Sequence, residues 1–550
     1  LGGAAQAMGS PEARIQAHPG AVVARVAPGC LTELRAGRAE APCLVSGSDA
    51  SVADAPIPDP ACTAPIIAVD ERCESWVGPR YDGGELDAAG SDLGSSEVVA
   101  SSPDGSAAYS LATSDLIAGS SARYGMVVVA QDGATGQTKW TARTEFAQDD
   151  VLGLSVAADP DGDLVYALGE AHDWADPHVH DPCPTPVLVA LDASTGEVKW
   201  TQRDEATGVC AFARTVEVDP AGERVYVVGG DSGTGIKRSF RVTSYEAGTG
   251  AIAWRGGYTG DFPAGASASA LAVSPDGSTL YVGGSGLRQG ADWAETIVWT
   301  IVAFDVAAGE ASEIGVISRV FRWDVPKADA PSTPANPPAA VGVSPDGRRV
   351  FIVGGAEGLT LFDIFTVAFD TTTGEKLWEA DYEGPRAQIK SSFDSVWYHS
   401  PMAISADGGE VFVTGYSTSM HGVNLAMDFV TLSYDAATGV ERWETRYVSE
   451  QWIHWFPSVA VHPNGDEVYV SGQVRHFEAG LLARYTTLAY GADDGAELWV
   501  ARHTDGGSYW NGMAMSPDGR RLFVSGTTQD LGEPNEAGTF DLLTVGYSTG

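Results

Sequence analysis

Short apolar runs rich in β-branched residues recur along the chain, separated by polar breaks of Gly, Pro and Asp. "VYVVGG" (225–230) and "VFIVGG" (350–355) are typical. Continuous apolar runs of this length predict strands buried on both faces. Each follows a turn string: "SPDG" at 102–105, 274–277, 344–347 and 516–519, with variants "DPDG" (159–162), "DPAG" (219–222), "SADG" (405–408) and "HPNG" (462–465). In such a turn Pro sets φ, Asp bonds its own backbone and Gly takes positive φ. Four residues after each turn glycine stands an aromatic: Tyr109, Tyr166, Tyr226, Tyr281, Phe351, Phe412, Tyr469 and Phe523. From Gly105 to Gly519 there are seven steps in 414 residues, a blade-sized spacing of about 59.

The second half of each unit reads strand, turn, strand. "VVVAQDGATGQTKW" (127–140) and "VTLSYDAATGVERW" (430–443) show the form, with Trp four residues past the turn glycine. The fourth unit, "TIVAFDVAAGEASEIGV" (300–316), keeps the turn but has no Trp there. Four strands per unit and eight units predict an all-β fold, an eight-bladed β-propeller of four-stranded antiparallel blades over 74–550. The eighth unit runs from "GMAMSPDG" (512–519) to "FDLLTVGYSTG" (540–550) and lacks its outermost strand. "ESWVGPRYDG" (74–83) has the form of that strand. The expectation is that it closes the ring, with Trp76 in the part of Trp378 and Trp443.

Composition adds the setting. Residues 1–29 are Ala/Gly/Pro-rich and read as a leader or disordered segment. Residues 30–73 carry Cys30, Cys43, Cys62 and Cys73 among many prolines and read as a disulfide-tied strap, with three pairings open. Six cysteines without C-x-x-C spacing favour disulfides, hence a secreted, periplasmic or cell-surface protein. With 33 basic and 73 acidic residues the net charge is −40, which argues against nucleic acid as a partner. No apolar run of eighteen exists to span a membrane as a helix.

"ALDASTGEVKW" (190–200) and "AFDTTTGEKLW" (368–378) resemble the tryptophan-docking repeat of eight-bladed quinoprotein alcohol dehydrogenases. "SPDGRRLFVSG" and "DFVTLSYDAATGVERW" look like repeats of exported quinoprotein-like, PQQ-binding-like propellers. The resemblance covers about residues 74–550. It implies a propeller and, where the family oxidises alcohols or sugars, an axial pyrroloquinoline quinone (PQQ) with Ca²⁺.

Strand order separates two faces. Numbering strands a to d from axis to rim, the tight a–b and c–d turns share one face, and the long, varied b–c and d–a connections share the other. Binding residues belong on the varied loops of a rigid scaffold. The d–a segments "DSVWYHSP" (394–401), "EQWIHWFP" (450–457) and "GGSYWNGM" (507–513) are expected to bring Trp397, His399, Trp452, His454, Trp455, Tyr509, Trp510 and Asn511 to the axis. Asp149, Asp150 and Arg214 enter from the opposite side. Such an aromatic mouth with few polar groups suits a small ligand, and inter-blade packing of the same rings is the structural alternative. "HDWADPHVHDPC" (172–183) offers His172, His178, His180 and Asp181 to a metal, or is a polar surface loop. Cys183 and Cys210 share this face and are expected to be bonded.

Three functions follow. One is an exported propeller binding a glycan, peptide or protein partner through its long-loop face, with small molecules also possible ligands. The alternative is a PQQ-dependent dehydrogenase with an axial cofactor and cation. A third, a lyase or hydrolase, would use an axial metal with His399 or His454 as base.

Overall fold

The computed structural model describes residues 76–77, 81–86, 98–115, 124–144, 150–172, 184–204, 210–233, 236–262, 265–289, 295–312, 314–324, 338–356, 363–382, 384, 401–421, 424–448, 452–476, 483–503, 507–529 and 540–549. The proposed leader and strap, with Cys30, Cys43, Cys62 and Cys73, lie outside them.

The apolar runs form eight antiparallel blades of four strands. The first runs outward through Val99–Ser101, Ala107–Asp115, Tyr124–Asp132 and Thr138–Thr144. The innermost strands of the next seven are Asp150–Ala158, Cys210–Val218, Ala266–Val273, Ala340–Val343, Met402–Ile404, Trp452–Val461 and Gly507–Met515. Each of the eight innermost strands packs on the next, and the last packs on Val99–Ser101, so the ring is closed. Blades six and seven are further joined by a parallel bridge between Met427 and Ile453.

The outer strand of blade eight comes from the front of the chain, as expected. Trp76 and Val77 pair with Gly546 and Val545 of Phe540–Ser548, and Tyr81 and Leu86 continue onto Leu542 and Phe540. The register is informative. Trp140, Trp378, Trp443 and Trp499 pair with Ala130, Ala368, Ser433 and Ala489. Gly546 is the counterpart of those residues, so the backbone of Trp76 holds the position of the other tryptophans.

The two sequence signatures turn out to be one packing unit. In six blades the aromatic after the a–b turn lies on strand b and packs against the tryptophan of strand d. Ring centroids are 5.9 Å apart for Tyr109–Trp140, Tyr166–Trp200, Phe351–Trp378 and Phe412–Trp443. The tryptophan also reaches the neighbouring blade. The indole nitrogens of Trp140, Trp200 and Trp378 donate to Ala193, Ala247 and Ala436 carbonyls at 2.9, 2.9 and 3.1 Å. The ring lies flat on the next blade's c–d turn glycine: a Cβ on Gly439 would stand 2.5 Å from Trp378. That glycine therefore serves twice, for its positive φ of 71° and for the approach of the indole.

Blade four departs further than its sequence suggests. Instead of a tight c–d turn it forms the helix Val306–Ser312. Arg319, paired with Ala303, stands in the tryptophan register and donates through Nη1 to the Thr373 carbonyl at 2.8 Å. Trp254 of blade three docks on the helix glycine Gly309 and stacks on Phe304 at 5.9 Å. The turn expected within 300–316 is thus replaced by helix, because the inserted residues give Trp254 a helical floor.

The tight face consumes its own polar groups. Ser102 Oγ donates to Asp104 Oδ1 at 2.8 Å and accepts from Ala107 N at 2.9 Å. Ser344 and Ser516 repeat this with Asp346 and Asp518. Hydrogen bonds from Ser106 and Ser102 hold the Asp104 carboxyl down at about 2.

Candidate functional site

The inner strands begin on the long-loop face, and most of them share an irregularity there. Register shifts insert one extra residue between Gly153 and Ser155, Ala213 and Thr215, Ala268 and Ala270, Trp455 and Ser458, and Tyr509 and Gly512. Measured from the a–b turn glycine, these bulges fall at the same place. Eight residues before that glycine stand Leu154, Arg214, Ser269, Pro457 and Asn511. Bulges re-aim side chains and cluster beside binding sites. Here they set one residue at a common level on the inner strand of five blades, and its type differs among them.

The freed backbone groups are captured by the preceding blade. Gly153 N donates to Thr113 Oγ1 at 2.9 Å, and Ala213 N donates to Glu170 Oε1 at 2.7 Å. Thr113 and Glu170 both lie eight residues after their turn glycine, so blade one pins the bulge of blade two and blade two pins that of blade three. Glu170 is buried, and its Oε2 stands 3.7 Å from His172 Nε2. Asp150 is the cross-strand partner of His172, and both are buried. Asp150, Glu170 and His172 thus form one polar cluster behind the bulge that carries Arg214.

Arg214 itself is half-exposed, and its guanidinium lies 5.5 Å from the centroid of the Phe212 ring. Phe212 pairs with Gly230, where an added Cβ would come within 2.3 Å of the ring. Gly230 is therefore the space that the Phe212 platform occupies. Neither Glu170 nor the bulge position was singled out by sequence reasoning. The only available signal was the constant offset from the turn glycine.

The remaining expected site residues divide. His454 packs against blade six. It is fully buried in the seam between blades, its Nδ1 accepting from Phe429 N at 3.1 Å and its ring 4.8 Å from Phe429 and 5.4 Å from Tyr447. The ring packs against Phe429 and Tyr447 of blade six, so inter-blade packing accounts for its burial. Trp452, Trp455, Tyr509, Trp510 and Asn511 are placed by their backbones in the inner strands Trp452–Val461 and Gly507–Met515, with Trp510 and Asn511 at the bulge. Asp149, Trp397, His399, His178, His180, Asp181 and Cys183 lie outside the described residues. Cys210, at the start of the blade-three inner strand, is disulfide-bonded.

A calcium ion takes six to eight oxygen ligands. Among the described residues no three His, Cys, Asp or Glu side chains are arranged to hold a metal. The nearest cluster, Asp150 with Glu170 and His172, has Glu170 already spent on Ala213 N. Among the described residues no helix is long and apolar enough to cross a membrane.

No curated protein matches the chain. Among solved structures it is similar to quinohemoprotein alcohol dehydrogenase from Comamonas testosteroni, at 16% identity and TM-score 0.45 over 82% of this chain and 75% of that one. It is also similar to a europium-containing methanol dehydrogenase, at 15% identity and TM-score 0.41 over 81% and 89%. TolB from Acinetobacter baumannii follows at 12% identity and TM-score 0.26 over 67% and 77%. The family model described as outer membrane protein assembly factor BamB matches residues 125–414 and 365–531. Those matches span well over half of the sequence, and the chain belongs to that PQQ-like propeller family.

Proposed function

We propose that this protein is an exported binding propeller that engages a protein or peptide partner through its long-loop face. One observation carries the reading. The tight face repeats the same internally satisfied turns from blade to blade, whereas the bulge level of the inner strands changes in residue type, with Leu154, Ser269 and Pro457 buried and Arg214 half-exposed. A scaffold whose turns are constant on one face and whose inner-strand ends vary on the other has the form of a rigid frame for recognition. The family description, an outer membrane assembly factor, supports a protein partner. The disulfide at Cys210 supports an oxidising compartment.

The test is photocrosslinking in the cells that export the protein. A photoreactive side chain at Val448, exposed at the d–a end of blade six on the long-loop face, is expected to give a discrete adduct identifiable by mass spectrometry. The same group at Thr372, in a tight turn, is expected to give none. Equal labelling from the two faces, or adducts from Thr372 alone, would overturn the assignment.

A further inference from the structure

We infer that Arg214 is the anion-recognition group of the axial end, and that the ligand it takes presents a single carboxylate. The inference rests on the long-loop face being a binding surface and names the chemistry recognised there.

The starting point is a missing partner. The chain carries 73 acidic residues against 33 basic ones. Other arginines near the long-loop ends and rim are answered, among them Arg241 by Asp204 and Asp231, Arg255 by Asp204, and Arg442 by Glu410 and Asp435. Among the described residues Arg214 makes neither a hydrogen bond nor an ion pair, although it is half removed from water. A guanidinium has five donors in a planar fork that matches a carboxylate. Here the fork is left open.

The position is also built. The bulge sets Arg214 off the regular ladder, and Glu170 fixes that bulge through Ala213 N. Phe212 lies under the guanidinium, and Gly230 leaves the space for its ring. Stacking on an aromatic face orients the plane of the fork without using its donors. Glu170 acts through Ala213 as a positioning residue.

Charge sets the class of ligand. Behind the bulge stand Asp150 and Glu170, and Glu217 follows on the same strand. One cation in acidic surroundings balances one negative charge. A phosphate dianion would bring a second charge with no cation to meet it. A monoanionic carboxylate fits, whether from a peptide terminus or side chain or from a free small acid.

The test is titration calorimetry on the full-length protein at low ionic strength. The probes are acetate, N-acetylglycylglycine, the amide of that peptide, and inorganic phosphate. Saturable binding of a carboxylate probe is expected, with none by the amide. Tighter binding of the peptide identifies a peptide carboxylate, and equal binding of acetate a small acid. Arg214→Gln should weaken binding about tenfold or more, and Arg214→Lys should retain part of it. Phe212→Leu should weaken it with the fold intact. Arg520→Gln, on the exposed tight face, should change nothing. No carboxylate binding, equal binding to Arg214→Gln, or equal binding of phosphate would overturn the inference. Crosslinking from Val448 that persists without carboxylate binding removes Arg214 and leaves the binding face. The reverse result removes the protein-binding reading alone.

Discussion

The hydroxyls of Ser110 and Thr544 stand 2.8 Å apart, fully buried, on strands of the first and last blades. Thr544 also lies 3.2 Å from Ser525 Oγ within its own blade. The ring is therefore closed by a polar contact as well as by the strand at Trp76. Ser110→Ala and Thr544→Val are each expected to cost about 1 kcal/mol in denaturant melts. The double variant should cost less than the sum, because both remove one shared bond. Strict additivity would mean that the contact contributes nothing to closure.

Turn glycines of equal φ are not equal in cost. Gly347 has φ 70° and nothing within 4 Å of an added Cβ, whereas Gly439 has φ 71° and the Trp378 ring at 2.5 Å. Gly347→Ala is expected to lose about 1–2 kcal/mol for the left-handed backbone alone. Gly439→Ala should lose about 1–3 kcal/mol more from overpacking. Thermal melts giving the two variants the same loss would refute the docking role of the glycine.

The outer edge of blade four should be the more tolerant. Trp378→Ala removes a buried indole and is expected to cost about 3–5 kcal/mol. Arg319→Ala, in the same register, removes one hydrogen bond to Thr373 and should cost about 1 kcal/mol. An Arg319 variant as unstable as the Trp378 variant would contradict this.

Asp204 joins blades two and three. It accepts from Arg241 Nε at 3.2 Å, Arg255 Nη2 at 2.7 Å and Thr243 Oγ1 at 2.6 Å. Burial pushes its carboxyl up, but the Arg241 charge and the hydrogen bonds from Thr243, Arg241 and Arg255 outweigh it and leave it below the usual range. A depressed native value means stability that is complete above the unfolded value of about 4 and is lost as pH falls through the native one. Asp204→Asn is expected to lower the melting temperature clearly near neutral pH, the loss being about 3–5 kcal/mol or less. The gap from the parent should narrow on acidification below about pH 4. A gap that widens at low pH would refute the assignment.

The fold was legible to an unusual depth because its signals are local. Turn chemistry, the aromatic after it and the tryptophan beyond the second turn each sit within a few residues of a glycine. Repetition then supplied the strand count, the order and the closing role of "ESWVGPRYDG". The candidate site was far less legible. Arg214 and Asp150 were placed on the right strands, but nothing distinguished His454, buried in a seam, from a residue at the mouth. Glu170 lies inside an apolar strand and reads there as an isolated acid.

By itself, then, the chain determined eight units, four strands in each, and a ring shut by its own front end, since these depend on spacing along the backbone. The tertiary structure alone decided that Trp254 rests on a helix, that Arg319 replaces an indole, and that Glu170 reaches Ala213 across 43 positions to pin the bulge beneath Arg214. Those outcomes are set between blades, where partners far apart in sequence compete for the same buried space and the same backbone donors, and no local pattern records which one prevails.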